Sequence, residues 1–353
     1  MVTSDTLMKA VCISEHGNYD VLNLVELPVP APGPKQVRIK VFYSALNHLD
    51  TWVRRGVPGH QFPLPIIPGC DFSGIIDAVG EGVSHVKLGA RVAVAPGFNL
   101  SPSAKAHSGQ QHLARDYGIY GETCNGGNAE YAVVEAENII QVPDEFDLAI
   151  AAAFPLTYLT AWNMLVGRCR IKPGDKVLIH AAGSGVSVAA TQIAKLYGAD
   201  VMVTAGSDAK CQKGLENGAD CAVNYETEDW CDFAKQFAQK KGLDIIVDHV
   251  GLNTLPDGIW LLGKGGRIVT CGVTSGAKMN INFAPIFFKS LSILGSTMGG
   301  LGQMHDVARL VFSQKLCPVI DSEFALEDIG NAHEKMSSRE VFGKILLKVC
   351  ADA

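Results

Sequence analysis

Residues 176–199 read KVLIHAAGSGVSVAATQIAKLYGA, and the fold follows from this stretch. Lys176 to Ile179 open it with the apolar run of a strand buried on both faces. Small residues make a turn, and from Val186 onward apolar residues recur at helical spacing. A strand that enters a glycine-bearing turn and leaves as a helix builds a pyrophosphate site. Backbone N–H groups and the positive end of the helix face the anion, and small side chains let the backbone come close. Gly183, Ser184, Gly185 and Val186 are the expected contacts. The G-x-G-x-x-G pattern is incomplete, because Ser187 stands near where a later small residue belongs. The strand–turn–helix setting outweighs that departure; the competing reading is a tight turn that merely needs glycine.

Working outward, DVMVTAG (200–206), CAVNY (221–225), DIIVDHVG (244–251), GRIVTCG (266–272) and LSILGST (291–297) supply five further short apolar runs. The first alternations leave room for helical crossovers. The expectation is an α/β fold whose residues 144–296 form a doubly wound parallel sheet binding a dinucleotide. DVMVTAG ends about twenty residues past the loop, where an NAD site carries an Asp or Glu for the ribose 2′-hydroxyl. Gly206 and Ser207 stand there instead, leaving room for an extra phosphate that Lys210 would meet as a cation. NADPH is therefore the expected cofactor. Lys210 as a solvated helix lysine is the ordinary alternative, and Asp208 turned inward would favour NAD.

Upstream, β-branched runs broken by Gly and Pro read as an all-β domain over residues 1–143: KAVCI (9–13), QVRIKVFYSA (36–45), FSGIIDAV (72–79), ARVAVA (90–95) and AEYAVVEA (129–136). The polar stretch 98–128 reads as a long surface loop. Leu148 to Trp162 is a 15-residue apolar stretch interrupted by Pro155. Crossing a bilayer takes about 20 residues, so this one reads as a buried helix. Downstream, a helix over 305–314, PVIDSEFAL (318–326), a second helix and GKILLKV (343–349) are expected to return residues 297–353 to the first domain.

At 353 residues the chain exceeds what one core usually organises, in keeping with two domains. Thirty basic against thirty-six acidic residues give a net charge of −6, and no Lys/Arg run follows a phosphate backbone. Nucleic acid and anionic membranes are poor partners on that count. The ten cysteines are scattered with no Cys-x-x-Cys pair and no secretory signal ahead of them, so a reducing cytoplasm is expected.

Eight segments in order carry a resemblance over nearly the whole chain: SALNHLDTWVRRG (44–56), LPIIPGCDFSGIIDAVGEGV (64–83), GARVAV (89–94), GGNAEYAVV (126–134), PLTYLTAW (155–162), KPGDKVLIHAAGSGVSVAATQIAKLYGA (172–199), GADCAVNY (218–225) and FGKILL (342–347). They resemble the medium-chain dehydrogenase/reductase superfamily, closest to its quinone oxidoreductase-like and zinc-type alcohol dehydrogenase-like members. The resemblance implies a GroES-like β-barrel domain, an inserted Rossmann domain, a C-terminal return to the barrel, a substrate cleft between the domains and a homodimer. It also implies that Thr160, Tyr225, Gly272, Val273 and Lys344 line the cofactor. Each has an ordinary alternative: helix packing, a core aromatic, a strand-ending turn or a surface charge.

The metal positions of the family depart here. Its zinc-dependent members ligate a catalytic metal through Cys, His and Cys, where this chain has Asn47, Cys70 and Leu156, with Asp71 matching the neighbouring acidic residue. A catalytic zinc needs three protein ligands of the thiolate or imidazole kind, so no metal is expected. The four cysteines of the family's structural-zinc lobe have no counterpart in 98–121; His107 and His112 there read as exposed loop histidines. Leu49 takes the place of the proton-relay hydroxyl.

Lacking a Lewis acid for an alkoxide, the chain is expected to pass hydride from NADPH to a quinone or an α,β-unsaturated carbonyl. Asn47 is the expected donor to ribose or substrate oxygen. His48 and Asp50 are candidates for proton delivery or orientation, against a satisfied core histidine and a turn-capping aspartate. Two other readings compete. One is a zinc-dependent alcohol or aldehyde dehydrogenase with an unconventional set, Cys70, Asp71 and His48. The other is a cofactor-binding regulator or RNA-binding protein without turnover.

Overall fold

The computed structural model describes residues 6–99 and 101–350. The chain divides into two compact units. Unit 1 is Met1–Leu156 with Gly300–Phe312 and Pro318–Ala353; unit 2 is Thr157–Gly299 with Ser313–Cys317.

Unit 1 is built on the strand Gln36–Ala45. Asp71–Val79 pairs antiparallel along one edge; on the other, Tyr131–Glu135 takes the first half and Lys344–Lys348 the last residues. Arg91–Val94, Ile139–Gln141 and Ile320–Ala325 complete a seven-stranded sheet. Alternation along Gln36–Ala45 sends Val37, Ile39 and Val41 into a core with Phe72, Ile76, Val92 and Val134. Full burial of each such side chain stabilises by about 1.5–3 kcal/mol.

Register then fixes which residues meet at one end of this sheet. Ala45 lies opposite Asp71 on one side and Leu346 on the other. Asn47, two residues past Ala45, and Lys344, two before Leu346, are thereby brought to the same place as Asp71.

The apolar stretch 148–162 is two helices rather than one, Leu148–Ala153 and Pro155–Trp162. Asp147 caps the first, its side chain accepting from Ala149 N at 2.8 Å, and the break falls before Pro155, whose ring has no N–H to donate. The first of these helices belongs to unit 1, and the change of unit falls between Leu156 and Thr157. The stretch 98–128 carries more order than its polarity suggests. Gly97–Asn99 and Tyr117–Ile119 pair as a short hairpin, with the short helix Ala104–His107 in the excursion that joins them.

Unit 2 contains a six-stranded parallel sheet in the order Cys221–Asn224, Asp200–Ala205, Lys176–Ile179, Leu243–Val247, Leu262–Thr270, Ser292–Gly295. This is the doubly wound order that reverses between the first and fourth strands, and ligands bind outside the carboxyl ends at that switch point. Its core gathers Leu178, Met202, Val223, Ile246 and Ile268.

Candidate functional site

The glycine-bearing turn lies at the switch point. Val177–Ile179 pairs on one side with Asp200–Ala205 and on the other with Leu243–Val247, and the helix Gly185–Leu196 starts directly after the turn. The turn closes through Ser184 N to Ala181 O at 2.9 Å, and Ala182 N reaches Thr204 O at 2.8 Å. Ala181 holds a left-handed φ of 56°, which costs a residue with a Cβ on the order of 1–2 kcal/mol. Gly183, Ser184, Gly185 and Val186 thus occupy the last turn residues and the first helical ones, where N–H groups lack intrahelical partners.

Ser187 is fully buried and has a structural task. Its hydroxyl donates to His180 O at 2.7 Å, so the same oxygen is left to accept from His249 Nε2 at 2.9 Å. His180 Nδ1 lies 3.1 Å from Thr204 Oγ1, and Trp230 meets its ring edge-on at 4.8 Å. Burial pulls the His180 imidazole down to about 4, so it is neutral at pH 7.

Gly206, Ser207, Lys210 and Tyr225 gather at the end of Asp200–Ala205. A Cβ on Gly206 would lie 2.6 Å from Tyr225 Oη, so a side chain there would have to displace the half-exposed Tyr225. Ser207 caps the helix Asp208–Glu216, accepting from Lys210 N. Asp208 is engaged by Asn224 Nδ2 at 2.7 Å. Gly272 follows Leu262–Thr270 and is tied back by Thr270 Oγ1 to its own carbonyl at 2.8 Å; Val273 is exposed. Thr160 and Thr157, one helical turn apart, each bury a hydroxyl that has no partner among the described residues. Orphaned hydroxyls on one helix face, a glycine corner without a carboxylate and a turn at the switch point together fit a nicotinamide dinucleotide.

Asn47, Asp50 and Lys344 come together in unit 1, with Asp71 as their hub. Lys344 Nζ donates to Asn47 Oδ1 at 2.6 Å and to Asp71 Oδ2 at 3.0 Å. Asn47 Nδ2 donates to Asp71 Oδ2 at 2.9 Å and meets Cys70 Sγ at 3.3 Å. Asp71 Oδ1 accepts from Leu156 N at 2.8 Å. The pair is deeply buried, Lys344 being 4% and Asp71 0% exposed.

Asp50 acts as a cap. Its carboxylate accepts from Asn47 N at 2.7 Å and Gly69 N at 3.0 Å, closing the start of His48–Arg55. Burial pushes it up to about 6, against those two bonds and the nearby Lys344 charge. Desolvation, then the charges of Lys344 and Arg339, hold His48 below its ordinary value. The hub role of Asp71 and the Ser187–His249 contact were not assigned from sequence. The first could have been found by counting register outward from FSGIIDAV and GKILLKV; the second leaves no local signal.

The set Asn47, Cys70 and Leu156 does not fit a zinc ion. An amide and a hydrocarbon flank a thiol that burial, then the Asp71 and Asp50 carboxylates, push well above its ordinary value, and an ammonium is already bonded among them. Among the described residues no group of three His, Cys, Asp or Glu side chains could hold a metal elsewhere.

Residues 33–144 match the family model described as alcohol dehydrogenase GroES-like domain, and 185–313 that described as zinc-binding dehydrogenase. The chain is 33% identical over 343 residues to human quinone oxidoreductase, covering 95% of this chain and 96% of that protein. It is 30% identical over 350 residues to a zinc-type alcohol dehydrogenase-like protein of Schizosaccharomyces pombe, covering 97% and 99%. A crystal structure of an NAD-dependent alcohol dehydrogenase superposes with a TM-score of 0.94 at 43% identity, over 97% of this chain and 100% of that one. The chain therefore belongs to the medium-chain dehydrogenase/reductase superfamily, in its quinone oxidoreductase-like branch, and is an oxidoreductase with a GroES-like and a Rossmann domain.

Proposed function

We propose that the chain is an NADPH-dependent, zinc-independent reductase of quinones or α,β-unsaturated carbonyls. The observation that carries this reading is the Lys344 ammonium seated on Asn47 and Asp71, where zinc-dependent relatives would place a ligand set. An alkoxide needs a strong Lewis acid, whereas an acceptor that is already electrophilic does not. When bound, the reduced nicotinamide supplies the hydride.

The protein's own part is to hold and orient. Gly183, Gly185 and Val186 would take the diphosphate on backbone N–H groups, with Ser184 N closing the turn that presents them. Gly206 and Ser207 leave space for a 2′-phosphate, with Lys210 as cation and Tyr225 beside it, and Asp208 is occupied by Asn224. Thr160, Gly272 and Val273 would line the nicotinamide half. In unit 1, Asn47 and Asp50 keep the polar cluster in shape, and His48, held neutral, would accept or relay a proton rather than store one.

A homodimer is supported by apolar surface next to the sheet's edge strand Ser292–Gly295, where Phe283 and Phe287 are each 67% and Phe288 73% exposed. No helix among the described residues is long and apolar enough to cross a membrane. With all ten cysteines unpaired, a reducing cytoplasm is the compartment we propose.

The test is an oxidation assay with NADPH and NADH in parallel against a panel of quinones and enones, with metal analysis of the same preparation. NADPH oxidation that survives chelation is expected, with Lys210→Ala lowering the NADPH-to-NADH preference about tenfold, the worth of a lost charged contact. The 43% identical NAD-dependent enzyme supports a second reading, alcohol oxidation with NAD. Stoichiometric, chelatable zinc required for alcohol turnover would establish that reading in place of ours.

A further inference from the structure

An ammonium has three N–H donors, and in Lys344 two are spent, on Asn47 Oδ1 and Asp71 Oδ2. The third has no partner among the described residues. The other donors of the cluster are all engaged. Asn47 Nδ2 is committed to Asp71 and Cys70, Asn47 N and Gly69 N to Asp50, and Leu156 N to Asp71. The amide that the sequence singles out as donor to the substrate has thus spent its hydrogens inside the protein. Its carbonyl is turned to the ammonium, and reversing the amide would set NH2 against a cation.

Burying a lysine with an unspent hydrogen is costly, and an internal ion pair is often no more stabilising than an apolar replacement. Positive charge held at fixed geometry in a desolvated place is, however, what an oxygen gaining negative charge needs. We propose that Lys344 is a catalytic residue. Its third N–H binds the acceptor oxygen on which charge develops, and Asn47 and Asp71 are positioning residues that aim it. This rests on the reductase reading above.

The electron count closes on an enone. Its β-carbon gains a hydride from the reduced nicotinamide, the C=C pair shifts toward the carbonyl, and the oxygen becomes an enolate anion bonded to the ammonium. The α-carbon then takes a proton from solvent, so that one hydride and one proton reduce the double bond and the nicotinamide leaves oxidised. Lys344 keeps its own proton throughout. In a quinone the corresponding anion is the hydroquinone monoanion, protonated in the same way.

The test uses 4-nitrophenol, whose phenolate is a coloured stand-in for the oxyanion, titrated into the full chain with oxidised cofactor present. In the wild type the bound phenol should ionise at least one pH unit lower than in solution. Lys344→Gln, neutral and able to donate, should abolish that shift and weaken phenolate binding at least tenfold, while Lys344→Arg should retain part of it. In turnover, Lys344→Gln should lose more with enones than with the more electrophilic quinones. A wild-type protein that shows no preference for the phenolate, or a folded Lys344→Gln that keeps it, overturns the proposal. The wild-type measurement stands even if Lys344→Gln fails to fold. Wild-type protein that prefers the phenolate yet reduces no quinone or enone would fail the reductase reading alone.

Discussion

The two units each bury a polar cluster, and they handle charge in opposite ways. In unit 1 Lys344 and Asp71 form an ion pair with almost no solvent contact, and the neighbours Asn47 and Leu156 N complete the carboxylate's bonds. In unit 2 the cluster behind the glycine-bearing turn centres on a buried imidazole. Ser187 links a backbone carbonyl to His249, and burial keeps His180 uncharged. The first arrangement holds a cation at fixed geometry in the interior. The second braces the turn that leads into the helix Gly185–Leu196. Belonging to one family does not require one electrostatic solution; each unit spends burial on what its own ligand chemistry asks for.

The contrast is broken most forcefully at Asp71. Asp71→Ala strands the Lys344 ammonium in the interior and should cost about 3–5 kcal/mol in denaturant unfolding. A loss under about 1 kcal/mol would mean that the pair is solvated and not a buried charge cluster.

A smaller effect separates the clusters by pH. With a folded value near 4 against an ordinary 6.5, His180 takes up protons more readily unfolded, so its contribution is whole above pH 6.5 and drains away as pH falls toward 4. By pH 5 the loss should be about 2 kcal/mol. Asp50, pushed up to about 6, runs the other way, since its folded state is relieved as pH falls through that value. Comparing stability at pH 7 and 5 in the wild type, His180→Gln and Asp50→Asn should show slopes altered in opposite directions; slopes altered the same way would erase the distinction.

Smallest is Ser187→Ala, which leaves His180 O and His249 Nε2 without this hydroxyl and should cost about 1 kcal/mol. Thermal unfolding would show it. An unchanged midpoint would mean that Ser187 merely fills the place of a small residue.

Much of this was legible in the sequence. Periodicity of two against 3.6 gave the six strands of unit 2 and the glycine-bearing turn, because those signals are local. The short strands Asn23–Pro28 and Gly97–Asn99 escaped notice, since three to six residues with little apolar alternation carry no pattern. The corner at Gly206, proposed above for the cofactor, was read from an absent carboxylate, which needs only strand position. The bonds of Lys344 to Asn47 and Asp71 were not read, since these partners are 297 and 273 residues away in sequence and no local pattern encodes a meeting at that distance. Register would have supplied it, but register is a property of paired strands and not of either strand alone.

The strand Lys344–Lys348 has a consequence for how the protein comes into being. A ribosome that has just added Asp71 must add 273 more residues before it reaches Lys344. At roughly 5–20 residues per second, that is on the order of tens of seconds. All of unit 2 is synthesised in the interval. Unit 1 meanwhile holds an aspartate and an asparagine facing the gap where its last strand belongs. Until that strand arrives the nascent protein carries an open sheet edge at Ala45 that chaperones, or a neighbouring chain on the same message, are able to find first.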